Sequence, residues 1–291
     1  MLTTLALNAV VAGILLGGIY VIASIGLSIT FGLLDIPNVA HPTFIILAAY
    51  CVYYANRLGL DPILSGLLLI PIFYFVGVAL YWVYDVCFEA RGKASTLQSF
   101  TFFFGIALVL EAGLILIAGV DMISVQAPYI GKSIKLAGIL LPYRLVIPSV
   151  LALFAGGLIW LYLTRTKAGL AIRAVAHDAN AMKIIGLNPK QAKRTAFGIA
   201  MATAALAGAA LIIVEPVTPF GGSEYVGRTF AIVVVAGLGS IPGTFVSAML
   251  IGLLESLVTT YVGGTWAPGV AFAVLLITLA FRPSGIFGAA R

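Results

Sequence analysis

The run LALNAVVAGILLGGIYVIASIGLSITF, residues 5–31, contains no charged side chain. A helix needs ~20 apolar residues to cross the hydrocarbon core of a bilayer, so this run is long enough to span it. It is also longer than the apolar part of a secretory signal peptide, and no Lys or Arg precedes Arg57. The run therefore predicts a transmembrane helix that stays in the protein.

The composition of the whole chain agrees with this run. Of the 291 residues, 62% are apolar and 9% are charged, and the mean hydropathy is +1.15. A soluble domain carries roughly 25% charged residues to cover its wet surface. The composition therefore predicts an integral membrane protein in contact with the lipid bilayer. It excludes a soluble enzyme, a protein that binds nucleic acid and a disordered scaffold.

Nine apolar runs follow one another along the chain. We predict an all-α, polytopic helical bundle of about eight or nine membrane segments, some of them discontinuous. Residues 1–291 form a single transmembrane domain in this interpretation, and the runs 42–56, 227–238 and 266–281 are short for a regular span. The nine runs are 5–31, 42–56, 62–84, 97–119, 143–163, 194–214, 227–238, 243–262 and 266–281.

Basic residues indicate the orientation, because loops rich in Lys and Arg stay in the cytoplasm. The segment 164–195 contains seven basic residues and one acid, Asp178, which gives it a formal charge of +6. We predict that this segment, the 85–96 loop and the C-terminus are cytoplasmic and that the N-terminus lies outside. The basic residues of the 85–96 loop and the C-terminus are Arg91, Lys93, Arg282 and Arg291.

Two segments, GLLDIP at 32–37 and GLGSIP at 237–242, share the pattern G-L-x-x-I-P. Proline lacks an amide donor and glycine adopts unusual backbone angles, so each segment predicts a break in a membrane helix. Paired breaks in the two halves of a transporter point to its solute path and to a pseudo-repeat, although a chance similarity of two loops stays an alternative. The candidate path residues are Pro37, Asn38, His41, Gly237, Gly239, Ser240 and Pro242.

The polar residues of the first break have two interpretations. Asn38 and His41 could line the permeation route, because polar groups in a membrane tend to face water or the bundle interior. They could equally form a hydrogen-bonded cluster that only fixes the broken helix.

Two acidic residues lie within apolar runs, Glu111 and Glu255. A carboxylate in hydrocarbon is costly unless it is paired or protonated, so each is expected to have a partner inside the bundle. Interhelical hydrogen bonding, to Arg228, hydroxyl groups or backbone, is favoured over a proton relay.

Small residues recur four apart at Gly13–Gly17, Ala204–Gly208 and Ala248–Gly252. Such pairs let helix backbones approach closely. We expect them to pack helices within this chain, with a dimer seam as the alternative.

The basic loop 164–195 predicts two helices. The first is amphipathic, has about four turns and ends near Gly186; the second begins with Asn188 as N-cap and Pro189 as its first residue. We expect the apolar stripe of the first helix to dock on a cytoplasmic partner, and anionic lipid is the alternative. The stripe consists of Ile172, Val175, Ala176, Ala179, Met182 and Gly186.

The chain contains none of the motifs expected of an enzyme or an ATPase. It lacks the phosphate-binding pattern G-x-x-x-x-G-K-[ST], the metalloprotease pattern H-E-x-x-H and the nucleophile pattern G-x-S-x-G. We therefore predict no enzymatic activity and no cofactor on this chain. If ATP drives transport, its hydrolysis occurs on another polypeptide.

Three sets of segments form a recognisable pattern: GLSITFG at 26–32 with NVAH at 38–41 and AAY at 48–50, then VAGLGSIPG at 235–243 with GLLE at 252–255, and finally RPSGIFG at 282–288. Together they resemble the LivH-type permeases of bacterial branched-chain amino-acid ABC transporters. The loop around Asp178 is similar to the ATPase-coupling region of that family. One departure is Pro42 after His41, where the family commonly has glycine.

The resemblance implies a permease subunit that moves branched-chain or related amino acids inward by alternating access. It implies a second LivM-like permease subunit, two cytoplasmic ATPase subunits that hold ATP and Mg, an extracytoplasmic solute-binding protein and a location in the bacterial inner membrane. A stand-alone ion-coupled secondary transporter or a channel, for a solute such as urea or an amide, is the alternative. The implied coupling residues are Arg173, Ala174, His177, Asp178, Ala179, Met182, Gly186, Leu187 and Asn188.

Overall fold

The structure is a computed structural model that describes residues 2–92, 95–136, 139–184 and 186–288. Within these residues each of the nine predicted runs forms a helix, and two shorter helices lie between the fifth and the sixth of them. The helices are α1 (Leu2–Leu27), α2 (His41–Arg57), α3 (Pro62–Tyr84), α4 (Thr96–Ala118), α5 (Tyr143–Arg165), α6 (Lys167–His177), α7 (Ala179–Ile184), α8 (Pro189–Val214), α9 (Gly221–Ala236), α10 (Ile241–Tyr261) and α11 (Ala267–Phe281).

Seven helical segments of the described chain are long and apolar enough to cross a membrane. The other two helices that match predicted runs, α2 and α9, have 17 and 16 residues and adjoin the Gly/Pro breaks. The chain is thus a polytopic all-α membrane protein, as predicted. A small antiparallel hairpin of β1 (Ser133–Leu136) and β2 (Ile139–Pro142) was not predicted.

Helix α8 is the centre of the bundle. It packs against α1, α2, α3 and α5, and almost all of its residues from Ala196 to Val214 are buried. Small residues make these close contacts: a Cβ on Gly208 would overlap the Ile45 carbonyl oxygen of α2, and a side chain on Gly198 would overlap the Tyr74 ring of α3. The apolar content of α8 therefore forms the core and not a lipid-facing surface.

The small-residue pairs pack helices within this chain. A Cβ on Gly13 would lie 2.7 Å from Leu253 Cα, and one on Gly17 would lie 2.7 Å from Met249 Cα. These contacts hold α1 against α10, whose own Gly252 lies against Gly17. The prediction of packing within the chain is confirmed.

Contacts between connecting segments define the two ends of the bundle. At one end, Asn8 accepts a hydrogen bond from the Leu140 amide (2.9 Å), and Asn56 bonds with the backbone of Gln126. At the other end, Lys190 pairs with Asp85 (2.9 Å). The N-terminus and the basic loop are therefore at opposite ends. Two residues that contributed to the predicted orientation, Lys93 and Arg291, lie outside the described residues.

Candidate translocation site

The first Gly/Pro break follows α1 through a π-helical turn, Ser28–Leu33. Asp35 then has a φ of +57°, a left-handed conformation that Asp tolerates better than most residues. The Ile36 amide donates a hydrogen bond to the Thr30 carbonyl (3.0 Å), and Pro37 has no amide to extend the helix. The chain therefore leaves α1 and starts a separate helix, α2.

The second break separates α9 from α10. Gly237 and Gly239 have φ angles of +89° and +85°, which favour glycine over any residue with a side chain. The Ser240 hydroxyl accepts a hydrogen bond from the Gly243 amide (3.1 Å) and caps α10, in whose first turn Pro242 lies. Every one of these residues is typical of a helix end, so local sequence explains this break.

The two breaks meet in the structure. A Cβ on Gly32 would overlap the Gly239 backbone nitrogen, and one on Gly239 would lie 2.9 Å from the Gly32 carbonyl oxygen. Next to this contact, the Thr244 hydroxyl of α10 donates a hydrogen bond to the Ser28 hydroxyl (3.0 Å). The two copies of the G-L-x-x-I-P pattern thus form one site.

The segment 282–288 closes the second break. The Ile286 amide donates to the Val235 carbonyl (2.8 Å), and the Phe287 amide donates to the Ala236 carbonyl (3.1 Å). These bonds satisfy carbonyl groups at the C-terminal end of α9 that have no partner within the helix. The sequence analysis did not predict this contact.

Asn38 and His41 lie in the centre of the bundle. Both are completely buried, and the Asn38 side-chain amide contacts the Met201 sulfur (3.8 Å) at the midpoint of α8. Among the described residues, the Asn38 side-chain oxygen and the Ser24 hydroxyl have no hydrogen-bond partner, and the ring nitrogens of His41 have none of good geometry, although the ring lies close to the Ala23 carbonyl. Each such group costs ~1–3 kcal/mol when it stays unpaired. These residues thus leave polar atoms unpaired inside an apolar bundle.

The predicted path residues differ in their exposure. Pro37, Asn38, His41 and Gly237 are buried, Gly239 and Ser240 are partly exposed, and Pro242 is exposed. The structure therefore brings them into one region that extends from the exposed end of α10 to the buried middle of α8.

Glu255 has the interhelical partners that the sequence analysis favoured. It accepts hydrogen bonds from the Tyr20 hydroxyl (2.6 Å) and from Arg228 Nε (3.0 Å). The Arg228 guanidinium also lies over the rings of Tyr20 (5.0 Å) and Tyr225 (4.8 Å), and the Tyr225 hydroxyl donates to Glu215. This network ties α1, α9 and α10 together.

Glu111 differs from Glu255. It is partly exposed on α4, and among the described residues no hydrogen-bond or ion-pair partner contacts it. The prediction of a partner inside the bundle is therefore wrong for Glu111. The reason is that α4 lies at the edge of the bundle, where only one of its faces is covered.

The basic loop also departs from its prediction. The single amphipathic helix is divided into α6 and α7 at Asp178, which is extended (φ −159°, ψ 105°) and accepts a hydrogen bond from the Ala181 amide (3.1 Å). Asp favours such a capping position over a helix interior. Gly186 has a φ of +77° where the predicted helix ends, and Asn188 caps α8 by accepting from the amides of Lys190 and Gln191; both predictions are confirmed.

Most of the predicted docking stripe faces the bundle. Ile172 and Val175 are buried because α6 packs against α5, α8 and the π-helical turn of the first break, and Met182 is buried on α7, which packs against α6 and α8. The prediction that the whole stripe is open to a partner is therefore wrong. Among the described residues of the loop, the exposed large apolar side chains are instead Leu170 (59% accessible) and, at the turn before α8, Ile184 and Leu187 (86% and 42%).

The other implied coupling residues differ in their positions and exposure. Arg173 and Ala174 are partly exposed, and Arg173 donates to the Thr164 carbonyl (3.4 Å). Asp178, Gly186 and Asn188 are exposed. The side chains of His177 and Ala179 lie outside the described part of the loop.

Two ion pairs fix the start of α8 to the connection after α3. Lys190 pairs with Asp85 (2.9 Å), and Lys193 pairs with Glu89. A cleft of 610 Å³ lies between Glu89 and the turn at Gly186. The sequence analysis used these lysines only for orientation; the acids within the 85–96 loop, Asp85 and Glu89, could have indicated the pairs.

Comparison with known proteins identifies the family. The family model described as branched-chain amino acid transport system / permease component matches residues 9–279. The chain is 25% identical to the branched-chain amino acid permease BraD of Pseudomonas aeruginosa, over 97% of this chain and 95% of that protein. It is 24% identical to the permease LivH of Escherichia coli K12, over 95% and 93%.

A relative is also found outside the bacteria. The chain is 25% identical to a probable LivH permease of Methanocaldococcus jannaschii, over 94% of this chain and 90% of that protein. No solved structure gives a significant match. These relatives support the permease interpretation and not the ion-coupled alternative. Since the family model covers nearly the whole chain, the chain belongs to the permease components of the branched-chain amino acid transport systems.

Proposed function

We propose that this chain is a permease subunit of an ATP-binding-cassette importer for branched-chain or related amino acids. The observation that carries the proposal is the contact of the two Gly/Pro breaks beside the unpaired groups of Asn38 and His41. A polar solute offers hydrogen bonds to such groups, and water does so once the path opens. The family membership supports the same function.

The path opens and closes where the breaks meet. The closed form buries Asn38 and His41, so solute reaches them only when the helices around them separate. Irregular backbone is acceptable at this depth because it is buried in protein or lines a wet cavity. Alternating access then corresponds to separation of α1, α8 and α10 on one side of the cluster at a time.

Coupling to ATP hydrolysis passes through the basic loop. The exposed turn with Ile184 and Leu187 offers apolar contacts to a cytoplasmic ATPase, and its surroundings are positively charged. The buried face of α6 contacts the π-helical turn of the first break. Movement of the turn is thus transmitted to the break through α6, which gives the differential contact that coupling requires.

The remaining subunits follow from this function. A second LivM-like permease completes the membrane part, two cytoplasmic ATPases bind ATP and Mg, and a solute-binding protein delivers the amino acid from outside. The loop 164–195 and the C-terminus face the cytoplasm, and the N-terminus faces outward, in the bacterial inner membrane. This chain supplies no catalytic chemistry in the proposal.

Purification of the complex in mild detergent tests the function. We expect ATPase subunits to co-purify and uptake in liposomes to require ATP. The variant Ile184→Asp should lose the ATPases, whereas Leu58→Asp, an equally exposed leucine (85%) at the opposite end, should keep them. Solute uptake driven by an ion gradient with this chain alone, or ATPases retained by Ile184→Asp, would contradict the proposal.

A further inference from the structure

The ion pair of Arg228 on α9 and Glu255 on α10 lies inside the bundle. Arg228 is seven residues from the start of α9 and Glu255 is six residues from the end of α10, about 10 Å along each axis. The distance from Nε to Oε1 is 3.0 Å, and the two side chains are only 17% and 2% exposed. Opposite charges therefore meet at a depth where a charge without a partner is costly.

Packing of the surrounding helices does not depend on this ion pair. Gly13, Gly17 and Gly252 hold α1 against α10 through close backbone contacts. A Cβ on Gly227 of α9 would overlap the Phe272 ring of α11, so these two helices are also in close contact. A buried ion pair adds little net stability, because the loss of hydration offsets the attraction, and an apolar pair of similar volume is often as stable. Helix packing alone therefore does not explain two opposite charges at this depth.

A line of hydroxyl groups leads from the ion pair to the two breaks. Tyr20, Ser24 and Ser28 recur every four residues on α1, which places them on one face of the helix. The first donates a hydrogen bond to Glu255 (2.6 Å), and the last accepts one from α10 (3.0 Å). Between these two contacts, the buried hydroxyls of Ser24 and Ser247 have no hydrogen-bond partner among the described residues. Polar groups thus extend between α1 and α10 from the ion pair to the breaks.

The ion pair lies on the N-terminal side of the breaks. Tyr20 is twelve residues before Gly32, where the breaks touch, or about 18 Å along α1. This side of the bundle is the one away from the basic loop. In the proposed orientation, a solute that arrives from outside therefore meets the ion pair before it reaches the breaks.

An α-amino acid matches both members of the ion pair. Its carboxylate is a group that a guanidinium binds with two parallel hydrogen bonds, and its ammonium group pairs with a carboxylate. Separation of α1 from α10, which the proposed function includes, breaks the bond from Tyr20 to Glu255 and opens this region. A neutral solute such as urea or an amide that parted the two charges would leave both without a counter-charge. A zwitterion gives each of them a new one.

We propose that Arg228 and Glu255 form an outer binding site for zwitterionic α-amino acids, in which the guanidinium binds the α-carboxylate and Glu255 binds the α-ammonium group. This inference rests on the proposed function and names the groups that select the solute. Without solute the two side chains pair with each other and the site is closed. The rings of Tyr20 and Tyr225 lie against the guanidinium and act as positioning residues. The open site is stabilised only by a solute that carries both charges.

Direct binding tests the requirement for both charges. The assembled transporter, held with a non-hydrolysable ATP analogue and without the solute-binding protein, is incubated with radiolabelled L-leucine. We expect saturable binding that unlabelled L-leucine displaces. Leucinamide lacks the carboxylate and 4-methylpentanoate lacks the ammonium group, so each should need a concentration at least about tenfold higher. Absence of saturable binding, or displacement by either analogue at the concentration of L-leucine, would overturn the proposal.

The double variant Arg228→Gln/Glu255→Gln assigns this requirement to the ion pair. It removes both charges together, so no charge is left without a counter-charge in the bundle, and two amides can still form a hydrogen bond. We expect its affinity for L-leucine to fall at least about tenfold, with the size-exclusion profile of the unaltered chain. Normal binding by this variant would show that the pair only supports the helices and would refute the site.

The matched control removes a different ion pair. Lys193→Gln/Glu89→Gln neutralises a pair at the end of the bundle that carries the basic loop, so it should bind L-leucine like the unaltered chain. An equal loss of binding in both double variants would contradict a specific role for Arg228 and Glu255. The competition between L-leucine and its analogues uses the unaltered chain, and it therefore decides the proposal even if a variant does not fold.

The site and the proposed function fail in different ways. ATP-dependent uptake of L-leucine by the unaltered transporter, together with normal binding by Arg228→Gln/Glu255→Gln, refutes only the site. Absence of ATP-dependent uptake, or ATPases that do not co-purify with the unaltered chain, refutes the proposed function itself.

Discussion

The two Gly/Pro breaks share a sequence pattern but differ in how their polar groups are satisfied. In the second break, Ser240 caps α10, and the amides of Ile286 and Phe287 satisfy the end of α9. In the first break, Asn38 and His41 are buried with unpaired atoms. The second break is thus a completed scaffold, whereas the first break retains free hydrogen-bonding capacity. In the proposed function, solute therefore contacts the first break, and the second break holds it in place.

The largest loss of stability is expected from a substitution where the two breaks touch. In Gly32→Val the new side chain would overlap the Gly239 backbone, which cannot move without separating α1 from α10. We expect a loss of stability of more than ~4 kcal/mol, with little folded protein in the membrane. Fluorescence-detected size-exclusion chromatography measures this.

The matched control for this variant is Gly105→Val, because a Cβ on Gly105 meets no atom within 4 Å. Its elution profile should stay monodisperse. If Gly32→Val behaves like Gly105→Val, the two breaks are not in contact in the membrane.

The second largest effect, a fall in uptake, is expected from a substitution in the first break alone. The variant Asn38→Ala removes a polar group that the bundle itself does not fully pair, so folding should be nearly unchanged, while ATP-dependent uptake should fall about tenfold. Initial rates of uptake in liposomes, normalised to folded protein, check this. Asn8→Ala, a loop-contacting asparagine near the N-terminus, should transport normally. Normal uptake by Asn38→Ala would make Asn38 part of the scaffold and remove the contrast between the breaks.

The smallest effect, a small loss of stability with nearly unchanged uptake, is expected at the second break. The variant Ser240→Ala removes a helix cap and should cost ~1 kcal/mol of stability, with uptake per folded molecule close to that of the unaltered chain. Ser95→Ala removes the corresponding cap of α4, so thermal unfolding of the two variants should shift equally. A tenfold loss of uptake in Ser240→Ala alone would place both breaks on the solute path.

Much of the fold follows from local sequence. The apolar runs predict nine of the helices, seven of them in segments long enough to cross a membrane, and residues such as Asn188 with Pro189 predict a helix start, because hydropathy and capping depend on neighbouring residues. Which face of a helix is covered by other helices does not depend on the neighbouring residues in the sequence. The stripe with Ile172 and Met182 is amphipathic in sequence, and only the positions of α6 and α7 in the bundle show that these residues face inward.

The candidate site was predictable in its residues but not in its arrangement. The repeated pattern marks Gly32 and Gly239 separately, yet their contact joins parts of the chain that only the three-dimensional packing of α1 on α10 brings together. The lack of a partner for Glu111 among the described residues also depends on three-dimensional packing, and the sequence does not show it. A sequence shows that a carboxyl group lies in a span, and only the bundle shows which groups surround it.

The hydrogen bonds from Ile286 and Phe287 to the end of α9 have a consequence for biosynthesis. The ribosome makes the carbonyl groups of Val235 and Ala236 well before it makes their partners, and the interval takes about 3–10 s at usual rates of elongation. During that time the nascent second break lacks these two bonds, although α9 and α10 have already been translated. Insertion machinery or chaperones that shield this region would act in that window, and premature termination after α11 would leave a protein whose helices are complete but whose second break is open.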